Sequence, residues 1–598
     1  MMKSCKAYTC VLVCGLLVTQ QVADSAESVA TNDLAAGTIT DAEIKTMLRD
    51  YIDTDKLGVG LIVGIVDEHG SRTIGHGKPG NGKDGEVDGD TVFEIGSITK
   101  VFTALLLQTM VESGEMRLDD PVQKYLPDSV KVPTYQGKQI TLLHLATHTS
   151  ALPGMPSNLS PRSWKDPDQA DYSPEQLYAF LSHYTLRRAP SSEAAYSNLG
   201  MMLLGHVIAL KAGKDYETLV LERICQPLGM NSTRIVLTPE MNSRLAIGHA
   251  IPGRPVNGMN FRFLPGAGGL RSTANDLLKF VSAYVGLNPS PLSAVMEKSK
   301  ELHPIESGAK LMLAWGGDNS FFGHNGGTYG CKTILGFDPK QRRGFVVLSN
   351  CRNSVIVDAM AGPLRTAFTP KPRQTIPSDA PLYDCYVGQY ELDKKSSICT
   401  VRREGQRLLV QWIEKSGART PTYELFPQTE TDFRNEFWGV HARFSPATKE
   451  RGTELVLSSL GPYSGITDPL TLKRISGHVP EPAPAPIQLK SDIYDRYVGQ
   501  YRKTFLFGLI KVGPILSITH EADELGNHLI ASARGVPGYD IAEFFPVTEN
   551  SFIVNPITTG DDIRLTFLRI KKNKATRGRV YWNGRNLTGS KVSDTPAK

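Results

Sequence analysis

At 598 residues the chain is several times the length of an ordinary domain, which excludes a single small module and calls for roughly two to four folding units. Hydrophobic residues at 40% and charged residues at 21%, with 55 Gly and 38 Pro, form a globular balance that excludes disordered, collagen-like and coiled-coil chains. Lys and Arg number 66 against 61 Asp and Glu, and the resulting formal charge of +5 is too small to mark a nucleic-acid binder.

The chain opens with Lys3 and Lys6 before an apolar run of about eleven residues and a small-residue exit at Ala23, Ser25 and Ala26. This pattern predicts a cleavable signal peptide over 1–26, too short for a stop-transfer helix, and hence a secreted or periplasmic protein without a transmembrane segment after cleavage. Cys10 and Cys14 do not sit in a lipid-attachment pattern.

From 38 to 370 helical runs (SITKVFTALLLQTMVESGEM, NLGMMLLGHVIALKAG, ANDLLKFVSAYVG) mix with strand-like runs (VGLIVGIVD, KTILGFD, GFVVLSNC), which predicts an α/β or α+β domain. The first chemical signal is Ser97-Ile98-Thr99-Lys100 at the head of an apolar helix. Residues i and i+3 share a helix face, so a lysine stripped of its proton by apolar surroundings can act as base for the serine hydroxyl. The helix N-terminus also offers backbone N–H groups to a developing oxyanion. Alone the pattern is weak, because Ser307-Gly308-Ala309-Lys310 matches it too.

Tyr196-Ser197-Asn198 follows, just before the second helix. A tyrosine near a lysine can pass a proton to a leaving group, and an asparagine amide can orient a substrate carbonyl. Tyr581-Trp582-Asn583 fits the same spacing. His324-Asn325-Gly326-Gly327 precedes the strand KTILGFD; its glycines let a substrate backbone approach a strand edge, and its histidine can donate without a permanent charge.

Two other patterns are set aside. Gly75-His76-Gly77-Lys78-Pro79-Gly80 matches GxGxxG, but loop residues follow where a phosphate-binding helix must begin, so it reads as a turn. His144 and His148 have the spacing of helical zinc ligands, yet HLATH lacks the glutamate of a metalloprotease. No metal or cofactor is expected.

Past the signal, Cys225, Cys331, Cys351, Cys385 and Cys399 remain. Cys331 and Cys351 flank a candidate hairpin almost symmetrically, as do Cys385 and Cys399, so two disulfides and ordinary buried thiols stand as alternatives.

Pro-rich stretches at 371–381 and 477–487 resist helix and sheet and act as spacers. They bound two pieces, 382–476 and 488–598, that share landmarks. Tyr386-Val387-Gly388-Gln389-Tyr390 recurs as Tyr497-Val498-Gly499-Gln500-Tyr501, and LFPQTETDF from Leu425 recurs as FFPVTENSF from Phe544. This is a duplicated domain, and short alternating segments predict two small antiparallel β-barrels. About eight extra residues separate the landmarks in the second copy, within YRKTFLFGLIKVGPILSI. A basic cluster of Lys571, Lys572, Lys574, Arg577 and Arg579 near the C-terminus reads as a solvated hairpin.

Taken together, SITK, YSN and HNG, in this order and about one hundred residues apart, resemble the SxxK, YxN and K/HxG set of the serine hydrolases that include class C β-lactamases, DD-peptidases, D-aminopeptidases and related esterases. The resemblance extends through THTSALP from Thr147, PLGMNST from Pro227, GAGGLRSTANDLLKF from Gly266 and GHNGGTYG from Gly323. It implies a β-lactamase/penicillin-binding-protein-like domain with a central antiparallel sheet flanked by helices. It implies Ser97 as acylated nucleophile, Lys100 as neutral base and Tyr196 as its proton-transfer partner. Asn198, His324, Gly326 and Gly327 would bind substrate, with the Ser97 and Gly327 amides as oxyanion donors. Ala151 stands where the family usually has glycine, and His324 where the β-lactamases have lysine.

Because a neutral histidine attracts a carboxylate less than a lysine does, esters, amides and peptides read from the amino end gain over free D-Ala-D-Ala termini. A catalytic domain followed by two barrels also resembles the D-aminopeptidases, in which a loop of the last barrel shapes selectivity. The expected partner is a small-molecule or peptide substrate, peptidoglycan fragments included, and no nucleic acid. The expected activity is hydrolysis of D-amino-acid-containing peptides or amides. The alternatives are a carboxylesterase, a weak β-lactamase, or a penicillin-binding sensor that acylates without turnover.

Overall fold

The computed structural model describes residues 40–352 apart from 83–84, 160–171, 252–253, 260–263 and 318–320, then positions 357 and 364, and from 384 to 593 the strands with a few turn residues. The signal sequence, the two Pro-rich spacers, Lys572 and Asn583 lie outside the described residues. The chain divides into two compact units, with a boundary between Pro372 and Arg373.

The first unit is built on a six-stranded sheet. Its strands are β1 (Gly60–Asp67), β2 (Gly70–Gly77), β3 (Gly316–Gly317), β4 (Phe322–Gly327), β5 (Lys332–Asp338) and β6 (Arg343–Ser349), in the order β2-β1-β6-β5-β4-β3. Every pairing is antiparallel. The two ends of the described unit meet at the centre, where Leu61 lies opposite Ser349 and Val66 opposite Gly344. That placement follows from sequence: GLIVGIVD and RGFVVLS are near-continuous apolar, β-branched runs, which suit strands covered on both faces, and both are buried almost throughout. β2, polar and half-exposed, lies at the edge.

The described helices include α1 (Asp41–Arg49), α2 (Thr99–Glu112), α3 (Asn198–Ala212) and α4 (Ala274–Tyr284). α1 starts with a reciprocal capping box between Thr40 and Glu43. α2 and α3 are apolar all round, and burial follows: in α2 all positions from Thr99 to Gln108 are buried, and in α3 all from Leu199 to Gly205. α4 is amphipathic and packs Leu277, Phe280 and Val281 inward. One continuous hydrophobic cluster joins α2, α3 and α4 to the sheet.

One sequence expectation needs correction. Gly75-His76-Gly77 is not a turn but the end of β2, paired with Ile62, Leu61 and Gly60; only the residues after it are loop. A Cβ on Gly75 would lie 2.1 Å from the Val87 carbonyl oxygen, so close chain crossing, not phosphate binding, asks for glycine there. The competing Ser307–Lys310 match falls on a turn and the two-residue strand Lys310–Leu311, without a helix.

β5 and β6 form the hairpin that brings Cys331 and Cys351 near each other, but the register Lys332 to Ser349 leaves the two cysteines offset by one position. The five described cysteines are thiols rather than disulfides, and Cys385 alone among them is not fully buried.

In the second unit the strands close into two eight-stranded antiparallel barrels, one over Gly388–Leu392 to Leu470–Ile475 and one over Gly499–Phe505 to Arg585–Ser593. The repeated landmarks fall on equivalent strands, YVGQY entering the first and the FP pair the fourth. The first hairpin of the second barrel has strands of seven and fourteen residues (Gly499–Phe505, Ile510–Asp523), where the first barrel has five and eight (Gly388–Leu392, Ser397–Glu404). The extra residues therefore lengthen that hairpin. Alternate residues fill the first barrel, among them Cys399 and Val401, Leu408 and Val410, Ala442 and Phe444, Leu455 and Leu457. Tyr386 stacks on Phe444 with ring centroids 4.3 Å apart, and the Tyr390 hydroxyl donates to the Tyr386 carbonyl at 2.9 Å. The barrel interior is thus a packed core.

Candidate active site

The chain turns sharply ahead of α2. Gly96 adopts a left-handed φ of +51°, a conformation glycine reaches without Cβ strain, and Gly96–Ile98 form a single 3₁₀ turn that leads into the helix. Ser97 lies in this turn, half-buried. One helical turn on, Lys100 is fully buried, and its Nζ lies 2.9 Å from Ser97 Oγ. The amine also donates to the Ala267 carbonyl at 2.6 Å. Desolvation alone pushes its pKa well below the ordinary lysine value, since no carboxylate compensates the buried charge. An amine without its extra proton keeps a lone pair, and the Ser97 hydroxyl is within its reach.

Three side chains on the first turns of α2 are tied to one distant segment. Thr99 Oγ1 accepts from the Leu270 N–H, Lys100 donates to Ala267, and Thr103 donates to the Gly266 carbonyl. This segment, GAGGL, carried the family resemblance but no assigned chemistry. Its contribution is a backbone carbonyl, which no side-chain pattern reveals.

Tyr196 precedes α3, whose N-cap is Ser197; the Ser197 hydroxyl accepts from the Gly200 N–H and donates to the Pro153 carbonyl. The Tyr196 hydroxyl donates to Ser97 Oγ at 2.8 Å, and Lys100 Nζ lies 4.9 Å from the centre of its ring. The residue is 40% exposed, yet desolvation raises its pKa to about 12. The phenol is therefore protonated through the neutral range. Asn198 is half-buried in the first turn of α3.

His324, Gly326 and Gly327 lie on β4. β3 pairs only with Phe322 and Gly323, so among the described residues the outer edge of β4 from His324 onward has no strand partner and can take an extended substrate backbone. His324 Nδ1 lies 2.6 Å from the Asn325 carbonyl oxygen, which fixes the proton on Nδ1. Burial first, and Lys100 second, lower the His324 pKa to about 4. The third wall thus presents a neutral imidazole at neutral pH.

Gly326 backs directly onto the serine turn. A Cβ there would lie 2.0 Å from the Ile95 carbonyl oxygen and 2.3 Å from Thr333 Oγ1, and Thr333 itself donates to that carbonyl at 2.9 Å. Gly327 is exposed, and a Cβ on it meets nothing closer than 3.9 Å. Gly326→Ala should therefore push β4 off the serine turn and slow acylation of Ser97 by about 10²–10³-fold, the scale of a lost oxyanion donor. The check is the labelling rate with an active-serine probe.

Ala151, where the resembled family has glycine, has a φ of +63°. The left-handed conformation costs an L-residue ~1–2 kcal/mol, against ~0.8 kcal/mol for the buried methyl group. Ala151→Gly should then stabilise the protein by about 0.5–1 kcal/mol, measurable as a higher denaturant midpoint.

Ser97, Lys100 and Tyr196 thus converge on one oxygen, and an open strand edge with a neutral histidine lies on the strand that backs the serine turn. His144, of the pair with zinc-like spacing, caps its own helix through the Thr141 N–H.

Comparison with known proteins gives the same relationship. D-alanyl-D-alanine-carboxypeptidase/endopeptidase AmpH of Escherichia coli is 35% identical over 264 residues, covering 42% of this chain and 65% of the relative, so the chain spans less than two thirds of that relative's length. A β-lactamase of Yersinia enterocolitica is 27% identical over 271 residues, 45% of this chain and 66% of the relative. Among solved structures, a β-lactamase/D-alanine carboxypeptidase from Yersinia pestis matches at 25% identity with a TM-score of 0.45, covering 52% of this chain and 94% of that one. The family model described as Beta-lactamase matches residues 53–365, more than half of the 598 residues, and the chain belongs to that family.

Proposed function

We propose that the protein is a serine hydrolase that works through an acyl-enzyme on Ser97. The observation that carries this reading is the position of Ser97 Oγ, 2.9 Å from the buried amine of Lys100 and 2.8 Å from the Tyr196 hydroxyl. Lys100, neutral, takes the Ser97 hydroxyl proton as Oγ attacks the substrate carbonyl carbon. The oxyanion so formed faces the amides of Ser97 and Gly327. The proton passes from Lys100 through Tyr196 to the leaving group, the carbon–nitrogen or carbon–oxygen bond breaks, and water then hydrolyses the acyl-enzyme by the same groups in reverse. Asn198 orients the acyl side of the substrate.

The substrate class we infer is a D-amino-acid-containing peptide or amide. A relative named as a D-alanyl-D-alanine carboxypeptidase and endopeptidase supports the peptidase direction. The neutral His324 supports a second reading, an aminopeptidase, because the third wall offers no fixed positive charge to a substrate carboxylate. The leader, with Lys3 and Lys6 ahead of its apolar run, is proposed to export the protein. The test is turnover by purified protein of a D-alanine amide with a free amine, a D-Ala-D-Ala peptide, nitrocefin and a short-chain nitrophenyl ester. Release of D-alanine from either of the first two supports the peptidase reading. Ester turnover alone replaces it with an esterase, and labelling without turnover replaces it with a sensor.

A further inference from the structure

Two costs fall on one residue beside Tyr196. His148 has a left-handed φ of +58°, uncommon for a side chain other than glycine, and its Nε2 is buried without a partner among the described residues. Buried orphan donors are rare and destabilising, and a phenylalanine at 148 would avoid this one. Outliers of this kind gather where function over-determines the backbone.

The contacts of His148 show what the two costs maintain. Its carbonyl accepts from the Ala195 N–H at 2.8 Å. Its Nδ1 accepts from the Ser197 N–H at 3.2 Å, which leaves the ring proton on Nε2. Between those two anchors its ring lies against that of Tyr196, centroids 4.6 Å apart and tilted by 39°. One residue thus holds three consecutive positions, the residues before and after Tyr196 by their amides and Tyr196 itself by its ring. The left-handed backbone lets the carbonyl and the imidazole of the same residue bracket Tyr196, and no other side-chain type supplies both an aromatic face and an acceptor at the Nδ1 position.

We propose that His148 is the positioning residue for Tyr196, holding its hydroxyl at hydrogen-bond reach of Ser97. The inference rests on the reading of Tyr196 as the proton-transfer partner. Active-site groups tolerate roughly 0.5 Å of displacement, so a loosened Tyr196 loses proton transfer without any loss of a reacting group.

The experiment is a double-mutant cycle on kcat/KM for D-alanine p-nitroanilide, whose amine leaving group must take a proton, with melting temperature recorded for each variant. Tyr196→Phe should lower kcat/KM by about 10²-fold and His148→Phe by about tenfold. His148→Asn, whose amide oxygen replaces Nδ1 and whose backbone tolerates the left-handed region, should recover to within about threefold of wild type. In the Tyr196→Phe background, His148→Phe should change the rate less than about twofold. Additive losses in the double mutant, or an asparagine variant as slow as the phenylalanine one, overturn the role of His148 and leave Tyr196 untouched. Full activity in Tyr196→Phe instead overturns the reading on which the inference rests.

Discussion

Ser97→Ala should abolish covalent labelling by an active-serine probe and lower turnover by at least about 10⁴-fold, the scale on which a nucleophile's loss is felt when its partners act as a unit. The fold should survive. Ser97 is half-buried in a turn set by Gly96 and held by the Thr333 bond to Ile95, and its hydroxyl accepts from groups that keep other partners. Lys100 retains Ala267, and Tyr196 keeps the packing of its ring against His148. Mass spectrometry of the labelled protein and a melting curve together decide the matter. A probe adduct on the alanine variant sinks the assignment of the nucleophile.

Lys100→Met should cost about 10²–10⁴-fold in acylation, the contribution of a positioned general base, and should at the same time raise the melting temperature. The second effect follows from linkage. The folded-state pKa of Lys100 is depressed well below the ordinary value by burial, so between the two pKa values the unfolded lysine holds a proton that the folded one has released. The cost, ~1.4 kcal/mol per unit of depression, is full below the folded-state pKa and shrinks as pH rises through that window. The cost disappears as pH rises past the ordinary lysine value near 10.4, where both states are neutral. Methionine fills the same space without an amine, so its stabilising effect should be largest below the folded-state pKa and fade as pH rises toward the ordinary lysine value. Lys100→Ala removes the base too, but leaves a cavity that costs ~2–5 kcal/mol and hides the gain. An unchanged melting temperature in Lys100→Met would mean that the amine is not desolvated, and with it the argument for a neutral base would fall.

The same shift governs the rate. Activity requires Lys100 unprotonated, so kcat/KM should fall toward acid as the amine is protonated, at a pH far below that of a free lysine. Above that pH it should hold toward the ionisation of Tyr196 near 12.

Much of this site was legible in the chain because its chemistry is carried by short local spacings. Ser97 and Lys100 share a helix face at i and i+3 whatever surrounds them, Tyr196 and Asn198 border one helix start, and two glycines follow His324 closely. The decoys separated from the true matches by local context as well, since Ser307 to Lys310 has no helix behind it. The central strands announced themselves as unbroken apolar runs, and the repeated YVGQY placed two barrels of equal strand number. Less legible was anything depending on backbone conformation. Gly75 to Gly77 looked like a turn because glycine signals both turns and close crossings, and only the Val87 carbonyl 2.1 Å from a virtual Cβ tells them apart. The left-handed Ala151 left no local sign beyond the departure from glycine.

The sequence by itself determined which residue types were available, their spacing along helix and strand, and the duplication behind the barrels, because periodicity and repetition are properties of neighbouring positions. Only the tertiary structure decided that Lys100 is desolvated, that Ala267 lends it a carbonyl, that His148 brackets Tyr196 and that the cysteine pair flanking β5 and β6 is offset. Each of these depends on segments dozens to hundreds of residues apart. Desolvation and hydrogen-bond distance are set by everything that packs around an atom, and that environment exists only once the chain has closed on itself.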